Sequence, residues 1–324
     1  DEKNFYSKGM FISKFFVFLK ILLRRIKDII RAREFDIIFI YREVIPLPTV
    51  FFEKQLKKTA ARIVYDFDDA IFIKKVSEAN KFFSFLKSAD KVKSIISLSD
   101  LVIVGNQYLK NYALKYNNNI KIFPTTIDTE TYDITKIKNK LGKLLQKKEN
   151  ICIGWSGSFS TVEHFEIIVS VLKVIKSKYQ NKVSFILIGD KNYQNDELGI
   201  KGIKWSKATE LIDLYQIDIG IMPLKNSLWE QGKCGLKGLQ YMALNIPTVM
   251  SPVGVNKEII NNGENGYLCD SEKEWIYVLS KLIESKKLRM KIGKEGRKTV
   301  VDNFSLDANK DEYVKLFNNL KNNT

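Results

Sequence analysis

Two lysines in a glycine-containing loop are the side chains best suited to chemistry. Lys233 and Lys237 belong to the stretch 232–237, in which Gly235 directly precedes an apolar run at helical spacing. The N–H groups at the start of a helix and the positive end of its dipole favour an anion, and two ammonium groups add full positive charges. A short apolar strand ends just before this loop, at the place where open α/β sheets bind their ligands. The pattern therefore predicts a phosphate site.

A second loop of small residues has the same character. Gly157, Ser158, Ser160 and Thr161 follow an apolar strand and precede another helical pattern. Glycine lets a ligand approach the backbone closely, and the hydroxyls can hydrogen-bond to phosphate oxygens. The alternative is that Ser160 or Thr161 only caps the helix. Because two such loops occur in the same half of the chain, we predict that both contact one phosphorylated ligand.

Three acidic residues form the third group. Asp66, Asp68 and Asp69 lie at the end of a predicted strand in the first half of the chain. Carboxylates at such a position can bind hydroxyl groups or stabilise a developing positive charge. Asp68 or Asp69 could instead cap the following turn. We predict a functional role for Asp66 and Asp69.

Other reactive side chains are few. His164 is the only histidine, so a nucleophilic triad is not expected, although His164 could serve as a general base. Cys152, Cys234 and Cys269 show neither the spacing of metal ligands nor a disulfide framework. We expect no bound metal and a reduced, cytoplasmic setting.

Strands and helices alternate along the chain, which is typical of parallel sheets with helical crossovers. Strands are predicted at 36–41, 61–65, 101–104, 120–123, 151–155, 183–189, 217–222 and 248–250. Helices are predicted at 48–58, 76–98, 107–116, 163–178, 208–215 and 310–320. The segment 131–150 is polar and rich in lysine, and we interpret it as a linker and entry helix. The prediction is an α/β protein with two doubly wound, Rossmann-like parallel sheets joined at about residue 130.

Length and composition fit that organisation. The 324 residues exceed one typical domain, and a hydrophobic fraction of 45% excludes general disorder. Lys and Arg outnumber Asp and Glu by 53 to 37, for a formal charge of +16, which favours anionic partners even though most of this excess is solvated surface. No signal peptide is recognisable, and no apolar run reaches the roughly 20 residues of a membrane span. We expect a soluble protein.

The loop at 232–237 and the segment 239–243 that follows it, Leu-Gln-Tyr-Met-Ala, carry a family resemblance. They resemble the donor-site segment of family 4 glycosyltransferases, which are two-domain GT-B enzymes that use activated sugars. In most of that family two glutamates bracket this loop, and here Gly232 and Gln240 occupy their positions. The lysines that flank the helix start are similar to those of a bacterial branch of the family. The resemblance extends over roughly residues 30 to 305.

The resemblance implies a glycosyltransferase that moves a sugar from a nucleotide-diphosphate sugar to a glycan or lipid-linked acceptor, with retention of configuration and without metal or cofactor. Lys233 and Lys237 would neutralise the leaving diphosphate, and Gln240 would reach the ribose. Glu230 would take the role of the first glutamate. The full expected donor site is Gly157, Ser158, Ser160, Thr161, Lys233, Gly235, Lys237 and Gln240, and the expected catalytic residues are Asp66, Asp69 and Glu230.

The resemblance also implies domain boundaries. The first domain would cover residues 1–130 on the acceptor side, the second 131–305 on the donor side, and the last helix, within 306–324, would return to the first domain. Such enzymes normally open with a strand, a glycine-rich loop and a helix that precede the segment where this chain begins. We therefore expect an incomplete first domain.

Alternative functions remain open. The changes at Gly232 and Gln240 would also suit a non-catalytic relative that only binds nucleotide sugars or other anions. An oxidoreductase is disfavoured because no Gly-x-Gly-x-x-Gly turn follows a strand. Only the net charge supports nucleic-acid binding, and no specific nucleic acid is predicted.

The helical pattern at 11–33 suggests where the protein acts. Apolar residues lie on one side of this helix and seven basic residues on the other. The helix could simply be part of the first domain with a solvated basic face, or it could rest on an anionic membrane surface. We expect peripheral association with the inner face of the cell membrane.

Overall fold

The computed structural model describes residues 11–73, 89–136 and 150–322. Its first sheet has four parallel strands in sequence order, β1 (Ile37–Tyr41), β2 (Arg62–Phe67), β3 (Leu101–Val104) and β4 (Ile120–Ile122). Its helices are α1 (Phe11–Arg31), a 3-10 turn (Ala32–Glu34), α2 (Phe51–Lys57), α3 (Ala89–Leu98) and α4 (Gln107–Ala113). The helix predicted at 76–98 is described only from Ala89, and most of the predicted linker at 131–150 also lies outside the described residues.

The strand order places the crossover helices on one face of the first sheet. Right-handed crossovers between strands that follow one another in sequence order all turn to the same side. Leu56 of α2, Ile95 of α3 and Leu109 of α4 accordingly share one core with Tyr65 and Phe67 of β2. The opposite face is left for another part of the chain to cover.

The last helix covers that opposite face. Helix α12 (Leu306–Asn322) packs against a second core around Val64, Ile103 and Phe123. The rings of Phe123 and Tyr313 are 4.3 Å apart between centroids, and those of Phe39 and Phe317 are 6.2 Å apart. Helix α12 begins four residues before the predicted Lys310 because Ser305 accepts the N–H of Ala308 at 3.0 Å and so starts the first turn earlier.

The second sheet has five parallel strands, β5 (Ile151–Ser156), β6 (Val183–Ile188), β9 (Ile219–Met222), β10 (Thr248–Met250) and β11 (Tyr267–Leu268). Their order across the sheet is β11-β10-β9-β5-β6. Two short strands, β7 (Gln194–Asn195) and β8 (Ile200–Lys201), form an antiparallel pair that the sequence did not predict. The order reverses between β5 and β9. A crevice opens at the carboxyl ends of the strands at such a switch point.

Helices cover both faces of the second sheet. They are α5 (Val162–Glu166), α6 (Val169–Tyr179), α7 (Glu210–Tyr215), α8 (Leu236–Ala243), α9 (Asn256–Ile259), α10 (Glu272–Glu284) and α11 (Lys286–Thr299), with a π-helical turn (Val300–Phe304) before α12. The helix predicted from Glu163 to Lys178 is divided at residues 167–168 into α5 and α6. Two parallel sheets with helical layers confirm the predicted α/β class. Among the described helices, none is both long and apolar enough to cross a bilayer.

We expect the replacement of Phe317 by Ala to destabilise the first sheet by about 1–3 kcal/mol, because a half-buried aromatic ring leaves a void against β1. Val314→Ala on the same helix is the control, since Val314 is 57% exposed and surface truncations change stability by about 0.5 kcal/mol or less. The midpoints of urea denaturation give both values. Equal midpoints for the two variants would show that α12 does not support the first sheet.

Candidate functional site

The two predicted phosphate loops meet at the switch point of the second sheet. Gly157 directly follows β5, and α8 begins after the loop that follows β9. A Cβ atom on Gly157 would lie 2.7 Å from the Nζ atom of Lys237 and 2.3 Å from the ring of Trp155. Only glycine therefore fits between the first loop and the Lys237 ammonium. The structure brings together Gly157, Thr161 and Lys237, three of the predicted donor residues.

The beginning of α8 is open to an anion. Gly235, the residue before α8, has a φ of 73°, in the left-handed region, and no side chain caps the N–H groups of the first turn. A Cβ atom at Gly235 would lie 2.3 Å from Cδ1 of Ile259. One turn of α8 is fixed to β5, because the N–H of Ser156 donates to the Tyr241 hydroxyl at 2.6 Å. The helix start is thus rigidly placed with its positive dipole end toward the crevice.

Lys237 has the most perturbed charge in this region. Its Nζ atom lies 4.4 Å from the centre of the Trp155 ring and 3.5 Å from the Thr161 hydroxyl. The Lys237 side chain is half-buried, and its ammonium is packed against the buried Trp155 ring. Burial, reinforced by the charge of Lys233, lowers the pKa of Lys237 to about 7. An anion placed beside it would restore the charged form.

The hydroxyls of the first loop bond to one another. Ser158 Oγ lies 2.9 Å from Ser160 Oγ, and the Thr161 hydroxyl donates to the carbonyl of Ser158 at 3.0 Å. These residues form a single 3-10 turn (Phe159–Thr161) before α5. The Thr161 hydroxyl also accepts the N–H of Ser158 at 3.2 Å, so Ser158 and Thr161 form a capping box around this turn. The capping alternative therefore holds for Thr161 at the 3-10 turn, although no side chain caps α5 itself.

Lys233 lies against the first sheet. Its Nζ atom is 2.7 Å from Oδ1 of Asp69, so that two predicted site residues pair across the two sheets. The whole loop at 229–235 docks there: the Asn106 amide donates to the carbonyls of Gln231 and Lys233, both at 3.2 Å, and the Cys234 thiol donates to the carbonyl of Asp68 at 3.1 Å. Burial raises the pKa of Cys234 to about 12, so this thiol stays protonated.

Arg42 is a residue of this site that the sequence pattern missed. It follows β1 with a φ of 60°, and its guanidinium donates to Oδ1 of Asp68 at 2.7 Å and to Oδ2 of Asp69 at 2.8 Å. Tyr41 also donates its hydroxyl to Asp68, at 2.9 Å. The sequence did contain a signal for Arg42, because it is a basic residue at the end of the strand next to the one that carries the acidic residues. Arg42 and Lys233 hold the Asp69 carboxylate from two sides.

Asp66 lies in a different environment. It lines a cavity of about 620 Å³ between the carboxyl edge of the first sheet and α12, together with Tyr41, Thr125, Lys310 and Tyr313. Burial, with a contribution from the charge of Asp68, raises the pKa of Asp66 to about 6. A carboxyl group with such a pKa can act as a proton donor or acceptor near neutral pH.

Glu230 is buried beneath the second loop. It is 1% exposed, accepts a hydrogen bond from the Ser227 hydroxyl and places Oε1 3.7 Å from Nε2 of His164. With Glu163, these residues can place one ligand atom each within 4.8 Å of one another, a grouping that could hold a metal ion and that the sequence did not reveal. Glu230 and His164 join the second loop to α5.

Gln240 lies one turn beyond Lys237 on α8. Its amide donates to the Tyr132 hydroxyl at 2.7 Å and to Oε1 of Glu210 at 3.2 Å. Trp205 donates its indole N–H to the same carboxylate oxygen at 3.1 Å. A carboxylate therefore lies next to the position where the family has glutamate, although it comes from α7 instead of α8.

Comparison with known proteins agrees with this architecture. Residues 133–299, just over half of the chain, match the glycosyl transferases group 1 family. An uncharacterized glycosyltransferase of Methanocaldococcus jannaschii is 24% identical over 292 residues, which are 84% of this chain and 71% of that protein. The capsular polysaccharide biosynthesis glycosyltransferase CapM of Staphylococcus aureus is 26% identical over 193 residues, 57% of this chain and 50% of that protein.

Solved structures share the fold. Anabaena HepE, in complex with UDP and glucose, superposes with a TM-score of 0.65 at 17% identity, over 91% of this chain and 80% of that one. The chain therefore belongs to the glycosyl transferases group 1 family and has the GT-B fold. It is a glycosyltransferase, as the sequence predicted.

Replacement of Asp66 by Asn should stabilise the protein at pH 7.5 by about 1–3 kcal/mol. The folded-state pKa of about 6 exceeds the ordinary value of 3.8, so the folded state holds the proton more tightly and loses stability as the pH rises from 3.8 through 6. The gain should be about half as large at pH 5. Thermal melts at the two pH values measure it.

Asp68→Asn is the matched control for that experiment. Asp68 is paired with Arg42 and Tyr41, so its loss should bring no stabilisation at either pH. A gain of equal size in both variants would contradict the assigned environment of Asp66.

Proposed function

We propose that the protein transfers a sugar from a nucleoside-diphosphate sugar to a glycan or lipid-linked acceptor, with retention of configuration and without a metal ion. The observation that carries this proposal is the Lys237 ammonium, which lies between the Gly157 loop and the open start of α8 at the switch point of the second sheet. A ligand with two phosphate groups matches the two positive features of this place, which are the Lys237 ammonium and the start of α8. HepE, which shares the fold, is described in complex with UDP and glucose.

The leaving diphosphate would be stabilised by charges that are already in position. A lysine ammonium already packed against Trp155 and a helix start lose little free energy by reorganisation when negative charge develops. Lys233 lies close enough to lower the pKa of Lys237, and an arriving diphosphate would compete with Asp69 for the Lys233 ammonium. These cations supply the charge that a metal ion would otherwise supply. We propose retention of configuration because the family resemblance implies it.

The nucleoside would extend from Lys237 along α8. Gln240 lies one helical turn further on, with the Glu210 carboxylate at 3.2 Å from its amide nitrogen. Carboxylates accept hydrogen bonds from vicinal hydroxyls, as a ribose presents them. We assign Gln240 and Glu210 together to the ribose, with the amide holding the carboxylate in place.

The acceptor would enter from the first sheet. The cavity beside Asp66 offers a carboxyl group and two tyrosine rings, Tyr41 and Tyr313, which suit the hydroxyls and the faces of a sugar. Asp69 is held at the meeting point of the sheets by Lys233 and Arg42. The related CapM acts in capsular polysaccharide biosynthesis, and a glycan or its lipid-linked precursor at the inner face of the cell membrane is the acceptor that we propose.

A non-catalytic relative that only binds nucleotide sugars is the second candidate. Gly232 and Gln240 in place of the two family glutamates favour it. Incubation with UDP-, GDP- and ADP-sugars separates the two candidates: release of the nucleoside diphosphate, whether by transfer or by slow hydrolysis, requires an enzyme. We expect the release to persist in EDTA, and loss of activity in EDTA would overturn the metal-independent mechanism and point to Glu163, His164 and Glu230.

The same donors should stabilise the folded protein. A ligand that binds only the folded state raises the free energy of unfolding by about 2.7 kcal/mol at a concentration 100 times its dissociation constant. A thermal-shift screen over the three nucleotides therefore identifies the donor base. If none of them shifts the melting temperature, the second-sheet crevice is not a nucleotide site.

Binding of UDP, used as a diphosphate probe, should weaken as the pH rises above 7. Lys237 has a pKa of about 7 in the free protein, and a bound diphosphate raises that pKa, so binding takes up a proton. The dissociation constant should increase by up to about tenfold per pH unit between pH 7 and 9. Lys237→Met should remove this slope and weaken binding at pH 7, as calorimetry can measure.

Lys225→Met, which removes an exposed lysine after β9, is the control and should keep the wild-type slope. A slope that survives in Lys237→Met would assign the proton uptake to another group and remove Lys237 from the phosphate site.

A further inference from the structure

The outer surface of α1 is apolar along one line and basic along the next. Leu19, Leu23, Ile26 and Ile30 recur at alternating spacings of four and three residues, and they are between 38% and 66% exposed. At 1.5 Å per residue they form a stripe about 16 Å long. Leucine and isoleucine side chains exposed in a continuous line indicate a surface that meets a partner.

The basic line lies next to this stripe. Lys20, Arg24 and Lys27 are all exposed, and each follows a residue of the apolar stripe by one position. One residue corresponds to about 100° around a helix, so the two lines are neighbours on the outer side of α1. The inner side is different, because Ile29 of α1 packs with Ala32 against the core of the first sheet.

We infer that α1 is a docking surface for an anionic lipid bilayer, lying in the plane of the headgroups. An in-plane helix buries an apolar line among the acyl chains while flanking lysines and arginines contact anionic headgroups. Both features occur on α1, and the formal charge of +16 attracts the whole protein to such a surface. A protein partner would need acidic side chains opposite the basic line, whereas an anionic bilayer presents negative charge along its full length.

This docking surface goes beyond the sugar-transfer reaction and does not depend on it. Helix α1 is joined through a single 3-10 turn (Ala32–Glu34) to β1, whose last residue, Tyr41, lines the cavity beside Asp66. A bilayer bound to α1 would therefore adjoin the same sheet that offers the proposed acceptor cavity.

Vesicle co-sedimentation tests the docking surface directly. The wild-type protein should bind vesicles of equimolar phosphatidylglycerol and phosphatidylcholine, and it should not bind vesicles of phosphatidylcholine alone. Binding should be lost at about 1 M salt, where the screening length is about 3 Å. Equal binding to both kinds of vesicle, or binding that survives that salt concentration, would overturn the electrostatic account.

Two variants test the basic line and the apolar stripe of α1 separately. Lys20→Gln, Arg24→Gln and Lys27→Gln together should weaken partition onto anionic vesicles on the order of a hundredfold. Leu23→Gln with Ile30→Gln keeps every charge and should weaken it by tenfold or more. Both sets of residues are exposed, so thermal melts should be unchanged.

Helix α11 provides the matched control. Lys286, Lys287 and Lys291 are exposed there, and their replacement by Gln removes the same charge and should change partition by less than a few-fold. Equal losses for the two triple variants would show that net charge alone drives binding and that α1 is not the surface. A wild-type dimer in sedimentation equilibrium that Leu23→Gln with Ile30→Gln converts to a monomer would instead assign the stripe to a second copy of the chain. UDP-induced thermal shifts, measured on every variant, report separately on the donor site.

Discussion

The candidate site depends on the docking of one loop of the second sheet onto the first sheet. The loop at 229–235 carries a cation to Asp69 and inserts a thiol into the first core, where a Cβ atom on Gly105 would lie 2.2 Å from the sulfur of Cys234. No larger side chain than glycine fits at that contact. The same loop leads directly into α8, so the position of this helix is tied to the position of the acidic residues on the first sheet.

The charged groups around the crevice fall into two sets, those in ion pairs and those with shifted pKa values. Arg42 and Lys233 neutralise Asp68 and Asp69, whereas Asp66 and Lys237 are left with pKa values shifted toward neutrality, in opposite directions and each mainly by burial. Two groups poised near neutral pH on opposite sheets are suited to a reaction in which a proton leaves an acceptor hydroxyl while negative charge accumulates on a diphosphate.

Local patterns predicted those parts of the protein that short segments determine. The strand and helix alternation defined both sheets, and the sequence indicated that Gly235 and Lys237 lie at a helix start, because these residues are within one turn of each other. The anion site expected there stays a prediction. The pairing of Lys233 with Asp69 joins residues 164 positions apart, and that of Arg42 with Asp69 joins residues 27 apart. Neither pairing has a local signature, since it arises only when separate elements pack. Glu210 beside Gln240 was missed for the same reason.

The return of α12 to the first sheet has a consequence for synthesis on the ribosome. Domains generally fold in the order in which they are made, but one face of the first sheet is covered by the last described helix of the chain. Val64, Ile103 and Phe123 therefore stay accessible to chaperones, or to other nascent chains, until the elements of the second sheet have been translated. The first half of the protein is synthesised early, but its sheet is covered only when α12 has been made. It therefore stays prone to aggregation for as long as the second half is being elongated.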